Sequence, residues 1–347
     1  MQSLRALLAF PVQVNQTQKL QQVERRLRDQ NEKIRKQRVR LEKQRRELEE
    51  LRALIQDSVH GTGQIGLEPE NIVWIFGTAR TGSTWLMQMM EELEGQIVWR
   101  EPYVGELFGR FYNSWAGAKH LDTKHLILSR RYKESWLRSL RRFVLSEASV
   151  RFPGAVEGGY LVVKEPNGAA GVPILMEAMP ESRMIFLLRD PRDVVASSLD
   201  AFGAGSWLHE RRVEEGGRRS EMFDLQADAV AERTANRYLE DITGVNEAYD
   251  AHQGPKTIVK YEDLRADTLG TMHRLYTELG IDVDLGELAR AVEEHAWENV
   301  PEDRKGEGKF HRKARPGGWR EDLTEEQART VERITAPLLK EFYSDQG

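Results

Sequence analysis

The sequence predicts an α/β fold: a mostly parallel sheet with helices on both faces, a P-loop-like phosphate site at one edge, and an N-terminal coiled-coil helix in front. Three observations predict it. The apolar run Ile72–Phe76 is followed by the loop Gly77-Thr-Ala-Arg80-Thr-Gly82-Ser83-Thr84 and then by apolar residues at helical spacing, Trp85–Leu93. A second apolar run, Met184–Leu188, leads into Arg189-Asp-Pro-Arg-Asp and a further helical segment. Ahead of both, residues 16–55 carry five unbroken heptads.

Composition fixes the setting. A chain of 347 residues with 39% hydrophobic residues can bury a sizeable core in one large domain and still carry an extension. It has no cysteine, which excludes a disulfide scaffold, a thiolate zinc site, an iron–sulfur cluster and a cysteine nucleophile, and fits a cytoplasmic setting. No apolar run reaches the length of a membrane-spanning helix, and Met1–Val14 lacks the small-residue cleavage site of a signal peptide.

The rod explains the high charge content. Leu20, Leu27, Ile34, Leu41, Leu48 and Ile55 recur every seven residues, with Val23, Gln30, Gln37, Gln44 and Leu51 between them. A period of 3.5 residues over this length specifies a left-handed coiled coil. Residues 16–55 hold thirteen Lys/Arg and seven Asp/Glu, a net +6, so a total of −5 leaves −11 for the rest of the chain. The expected organisation is a segment 1–15, a coiled coil 16–58, a linker 59–70 closed by Pro69, and a catalytic domain 71–347. The rod implies a homo-oligomer, with a dimer first, through residues 16–55. Its cations also suit an anionic membrane surface, so a membrane-peripheral location is the alternative to a freely cytoplasmic one. No nucleic-acid partner is expected.

Strands are expected at 72–77, 160–164, 184–188 and 257–260, with ligand at their C-terminal ends. The loop after the first strand joins a strand to a helix N-terminus, where backbone N–H groups and the helix dipole attract phosphate. Its spacing matches the nucleotide-triphosphate loop, except that the lysine position holds Ser83, and the cation lies inside the loop at Arg80. Arg189, at the end of a strand with Ser197 two helical turns on, suits a second phosphate. Arg312, Lys313 and Arg315 in the loop Lys309–Trp319 form a third cationic block. No His/Asp/Glu cluster has metal-ligand spacing, and no metal is expected.

These blocks, in this order, resemble the sulfotransferases that use 3′-phosphoadenosine 5′-phosphosulfate, and in particular their bacterial and carbohydrate-type members. Ala79-Arg80-Thr81-Gly82-Ser83-Thr84-Trp85 is similar to the family's 5′-phosphosulfate loop, Arg189–Ser197 to its 3′-phosphate motif, and Arg312-Lys313-Ala314 with Gly317-Gly318-Trp319 to its late loop, from which Ala314 and Gly318 depart. Tyr261-Glu262-Asp263 is similar to a further family segment. The resemblance spans residues 71–343 and omits the rod. It implies that Thr78, Ala79, Arg80, Thr81, Gly82, Ser83 and Thr84 cradle the phosphosulfate. It implies that Arg189, Ser197, Arg312, Lys313 and Ala314 meet the 3′-phosphate, and that Trp85 and Tyr261 lie beside the nucleotide.

The resemblance also implies in-line sulfuryl transfer to a hydroxyl, with Arg80 on the leaving group, Lys164 as a further catalytic residue and a carboxylate base. The strand Tyr160–Lys164 keeps the family's lysine, but Pro166 stands where cytosolic members have histidine, so the base is expected at Glu101, with Glu165 and His311 as alternatives. The Glu101-Pro102 pair echoes carbohydrate sulfotransferases, so a glycan or glycoconjugate is the expected acceptor. The Arg- and Gly-rich stretch 201–223 is a candidate lid, and Trp207 and Trp297 are candidate sugar-stacking faces. Two other readings remain: a P-loop nucleotide kinase, and a coiled-coil scaffold whose globular part binds nucleotide without turnover.

Overall fold

In the computed structural model the chain forms two units, Met1–Gln64 and Ile65–Gly347. The structure describes residues 66–116, 123–203, 205–214 and 221–344, together with Lys33, Lys36, Arg38, Leu41 and Arg45, which are helical and exposed. The heptad rod beyond those five residues, segment 1–15, the linker up to residue 65 and the arginines at 218 and 219 lie outside the described residues.

The strands β1 (Ile72–Phe76), β2 (Gln96–Arg100), β3 (Tyr160–Lys164), β4 (Arg183–Leu188) and β5 (Lys256–Lys260) form one sheet in the order β2-β3-β1-β4-β5. Every neighbouring pair is parallel. Four of the strands are legible in the sequence. The fifth, β2, is an edge strand with no fully buried side chain, so it lacks the continuous apolar run of a central strand.

Alternation along the strands divides the core. Ile72, Trp74 and Phe76 join Leu161, Val163, Phe186 and Leu188 on one face, whereas Val73 and Ile75 join Val162, Ile185, Leu187 and Val259 on the other. This is the two-residue period of a strand expressed as two separate cores. Helices α1 (Ser83–Glu91), α2 (Val104–Ala116), α3 (Lys133–Arg151), α4 (Val172–Ala178), α5 (Pro191–Phe202), α6 (Ala227–Ala251), α7 (Thr268–Leu279), α8 (Leu285–Glu294) and α9 (Glu325–Phe342) supply the covering layers. The first face packs on α3, α4 and α6, and the second on α1, α7 and α8. Among the described residues no helix is long and apolar enough to cross a membrane.

Because the strands are parallel, their C-terminal ends lie at one edge of the sheet. That edge collects the loop Gly77–Gly82 after β1, Glu101 after β2, Glu165 after β3 and Arg189 after β4. Helix α2 is seated there by backbone contact: Cβ atoms added at Gly105 and Gly109 would overlap the backbone of Gly168 and of Ala170–Gly171, in the turn after β3. Gly109→Ala should therefore cost about 1–3 kcal/mol in urea unfolding. Gly244→Ala in α6, where nothing lies within 4 Å of the added methyl, should instead stabilise by about 0.5–1 kcal/mol.

Candidate active site

Two glycines shape the loop after β1. A Cβ at Gly77 would sit 2.5 Å from the Leu187 carbonyl oxygen, and Gly82, at φ +91°, would place one 2.6 Å from the Tyr261 ring. Between them Arg80 adopts φ +71°, a conformation that costs a non-glycine residue on the order of 1–3 kcal/mol. The hydroxyl of Thr81 donates to the Thr78 carbonyl at 2.8 Å, and that of Thr78 to Asp241 Oδ2 at 3.1 Å, tying the loop to α6. Helix α1 opens at Ser83, directly after the αL turn at Gly82, with first-turn N–H groups that have no acceptor within the helix.

Three guanidinium groups converge beside this loop. Arg189 donates from Nη1 to the Arg80 carbonyl at 2.9 Å. Its own carbonyl accepts from the Tyr238 hydroxyl at 2.7 Å, and its guanidinium lies 4.3 Å above the Tyr261 ring. Arg80 lies over the rings of Trp207 and Phe310, which pack together edge-on, 5.4 and 5.7 Å from their centroids. Burial and the nearby Arg189 and Arg312 cations lower the Arg80 guanidinium to about 10, against the opposing pull of Asp200. It remains charged at neutral pH. Arg189 Nε is buried and meets no acceptor. Half-buried cations with an unmet buried donor suit an anion.

One face of α5 organises the cluster. Asp193, Ser197 and Asp200 stand at i, i+4 and i+7, on one stripe of the helix. Ser197 Oγ accepts from Arg80 Nε at 3.1 Å. Asp193, buried, accepts from the backbone N–H of Gly317 at 2.7 Å and of Trp319 at 2.9 Å. Asp200 accepts from Gly308 N–H at 3.0 Å and lies 3.6 Å from Arg312 Nε. The late loop is thus fastened to α5 at both ends. Asp190 caps α5 by accepting from Arg192 N–H at 2.8 Å, and Arg192 stacks 4.3 Å from the Trp319 ring.

The opposite side of the loop carries the candidate base. Lys164 Nζ donates to Thr84 Oγ1 at 3.3 Å and forms an ion pair with Glu101 Oε1. The Glu101 side chain is 33% exposed against 7% for Lys164, so the carboxylate faces outward from a buried cation. Glu101 (φ +48°) and Tyr103 (φ +59°) are both strained. Their turn is held by Glu101 N–H on the Lys164 carbonyl at 2.8 Å and by Tyr103 N–H on Glu165 Oε2 at 3.0 Å. Glu165 is buried, its Oε1 has no hydrogen-bond partner, and its carboxyl is pushed up to about 7. Burial is the main cause and the charge of Glu101 adds to it, while the N–H groups of Tyr103 and Gly105 oppose it.

The structure therefore brings together Thr78–Thr84, Arg189, Ser197 and Arg312 on one side and Thr84, Lys164 and Glu101 on the other. Trp85 meets Tyr261 edge-on at 6.1 Å and donates to the His295 carbonyl at 2.8 Å. Ala314 has φ +46° and turns the late loop between Arg312 and Lys313 on one side and Gly317 on the other. Lys313 pairs with Asp322 at 2.7 Å, which also pairs with Arg312, and with Glu321 at 3.3 Å. His311 lies near Arg80; burial, Arg304 and Arg80 push its imidazole down. Trp207 packs against Phe310 under Arg80, whereas Trp297 packs against His311 and carries the Lys305 cation over its ring. Asp193, Asp200 and Asp241 hold the loops of the candidate site, and the sequence reading assigns none of them a role. The 193/197/200 spacing was the available signal for the first two. Asp241 has no local signal.

Among the described residues, the fold is an α/β domain whose parallel sheet carries a glycine-shaped loop and converging arginines at its C-terminal edge. Residues 73–284 match the model of the sulfotransferase family, and the chain belongs to that family. It is 28% identical over 166 residues to omega-hydroxy-beta-dihydromenaquinone-9 sulfotransferase Stf3 of Mycobacterium bovis, covering 47% of this chain and 39% of that protein. It is 24% identical over 203 residues to cytosolic sulfotransferase 17 of Arabidopsis thaliana, covering 51% and 56%. The matches thus span about two fifths to just over half of these relatives' length. The crystal structure of mouse sulfotransferase SULT7A1 complexed with PAP shares the fold, with a TM-score of 0.50 at 14% identity over 79% of this chain and 86% of that one.

The late-loop fastening is testable. Asp193→Ala leaves two backbone N–H groups without their acceptor, so stability should fall by about 1–3 kcal/mol in denaturant titration. Anion affinity at the cluster should drop with it, although no guanidinium has been removed.

Proposed function

We propose that the protein transfers a sulfuryl group from 3′-phosphoadenosine 5′-phosphosulfate to a hydroxyl of an acceptor, with Glu101 as general base. The observation that carries this reading is the half-buried trio Arg80, Arg189 and Arg312 beside a glycine-shaped loop. A donor with two separate anionic groups uses every part of it. The orphaned Arg189 Nε and the half-buried Arg80 fit such a ligand, while Ser83 in place of a lysine disfavours a kinase reading.

The donor brings an activated sulfuryl group and a good leaving group. In this reading, backbone N–H groups of residues 78–84 and Arg80 hold the 5′ end, whereas Arg189, Ser197 and Arg312 hold the 3′-phosphate. Lys313, Ala314, Trp85 and Tyr261 complete the nucleotide's surroundings. Glu101 accepts the hydroxyl proton as the acceptor oxygen–sulfur bond forms and the bond to the leaving oxygen breaks. Lys164, hydrogen-bonded to both Glu101 and Thr84, sits between base and loop, where it offsets charge as it moves to the leaving oxygen. Such in-line transfers depend chiefly on positioning and fixed cations.

Glu101 is favoured over Glu165 as base because it is partly exposed and joined to the loop through Lys164. Glu165 is buried and holds the turn behind it. The rod at residues 16–55 is proposed to make a coiled-coil dimer. The glycan reading of the acceptor rests on the Glu101-Pro102 pair and on an arginine-rich stretch. The mycobacterial relative is named instead for a hydroxylated menaquinone.

Glu101→Gln should lower turnover at least 100-fold while affinity for adenosine 3′,5′-bisphosphate, read by calorimetry, stays within threefold of wild type. Retained turnover would remove Glu101 from its role.

Glu165 gives a stability prediction. Its folded value lies above the ordinary carboxyl value, so its contribution to stability is fully present below pH ~4.5 and is lost as the pH rises through about 7. Glu165→Gln should leave stability at pH 4.5 little changed and raise it relative to wild type by up to roughly 3 kcal/mol at pH 8. Urea midpoints across that range measure the difference.

A further inference from the structure

Eleven large apolar side chains stand exposed among the described residues, and seven of them fall between residues 103 and 143. On α2 they are Leu107, Phe111 and Trp115, at a strict four-residue spacing that puts them on one stripe, about 12 Å long. Tyr103 begins the stripe: its ring is half exposed and its hydroxyl lies 3.4 Å from Glu101 Oε2. Ile127, Tyr132 and Phe143, on the adjoining segment and α3, continue the exposed set. Next to them is a cavity of about 470 Å³ whose wall includes Phe108, Leu128, Tyr132, Trp136, Leu140 and Phe143. Phe108 and Phe143 meet edge-on at 5.6 Å. The polar side chains on this wall are Lys124, Ser135, Ser139 and the Tyr132 hydroxyl, too few to satisfy the many hydroxyls of a sugar.

The cavity falls within the range of small-molecule sites, ~300–1,000 Å³ and mostly apolar. A contiguous exposed apolar patch marks a binding surface. This one is continuous with the candidate base: the chain passes from Glu101 through the strained Tyr103 into α2, and one helical turn beyond Val104 it reaches Phe108 on the cavity wall. We infer that the acceptor is an amphiphilic alcohol. Its hydrocarbon chain lies along the Leu107–Phe111–Trp115 stripe and in the cavity between α2 and α3, and its terminal hydroxyl is presented to Glu101. This rests on the sulfuryl-transfer reading above and replaces the glycan expectation with a lipid-like substrate class.

The test uses the full chain, the sulfuryl donor, and straight-chain primary alcohols of graded length beside a soluble amino-sugar oligosaccharide. The expected result is a kcat/KM that rises about threefold to fourfold per added methylene until the cavity is filled, and exceeds that for the sugar. Ile127→Asp and Phe143→Asp should flatten the series while thermal stabilisation by adenosine 3′,5′-bisphosphate persists, showing that they still fold. Calorimetry with the alcohols alone, without donor, reads the groove independently of turnover. Equal rates across the series, preference for the sugar, or no alcohol binding would overturn the inference. So would a change of oligomeric state in Phe111→Asp with the series unaltered, since the face would then belong to a second copy. Alcohol binding without any response to the bisphosphate would instead overturn the donor reading and leave the groove in place.

Discussion

Three arginines held against one another in a partly buried space are the constraint on which the rest of the site depends. Mutual repulsion and lost hydration both oppose such a cluster, and Asp200 is the one carboxylate that raises Arg80 against them. The fold therefore holds each guanidinium by other means. Arg80 is placed by a strained loop, two aromatic rings and Ser197. Arg189 is placed by Tyr238 and the face of Tyr261. Arg312 is placed by Asp200 and an ion pair with Asp322. Holding them in advance means that little reorganisation is needed when an anion arrives.

Helix α5 links these devices. Its first residue follows Arg189-Asp190, its inward stripe carries Asp193, Ser197 and Asp200, and each of those three residues engages a different part of the chain. A segment far along the sequence, Gly308–Trp319, thereby becomes a wall of a site built on β1 and β4. The same economy appears on the other side, where Lys164 on β3 joins the β1 loop to Glu101 after β2. Two of the four strained non-glycine residues among those described, Glu101 and Tyr103, lie on that second side, and Arg80 and Ala314 on the first. Strain concentrated at the two halves of one site is what a pre-positioned reaction centre requires.

Much of this is legible in the sequence. The apolar runs at β1, β3 and β4 are continuous because both faces of a parallel sheet are covered, and the glycine loop and Arg-Asp-Pro block are local signals. Strand β2 was not legible: it lies at the sheet edge, and its short apolar core runs straight into Arg100-Glu101-Pro102. Glu101 was named by resemblance, but its ion pair with Lys164 joins strands 63 residues apart and leaves no local trace. Arg312 and Lys313 share the carboxylate of Asp322, and Lys313 alone also reaches Glu321; the Arg-Lys pair gives no local sign of either partner. The exposed stripe of α2 is not legible because apolar residues at helical spacing ordinarily signal the buried face, and here Val104, Phe108 and Tyr112, with Gly105 and Gly109, form that face.

The central claim is that the arginine cluster is built for two separate anionic groups on one nucleotide. Calorimetric titration of the wild-type protein with adenosine 3′,5′-bisphosphate, and in parallel with adenosine 5′-monophosphate and adenosine 3′-monophosphate, tests it most directly. The account predicts that the bisphosphate binds at least 100-fold more tightly than either monophosphate, as two charge-assisted contacts of about 1.5–3 kcal/mol each would give. Equal affinity for the bisphosphate and one monophosphate would contradict it.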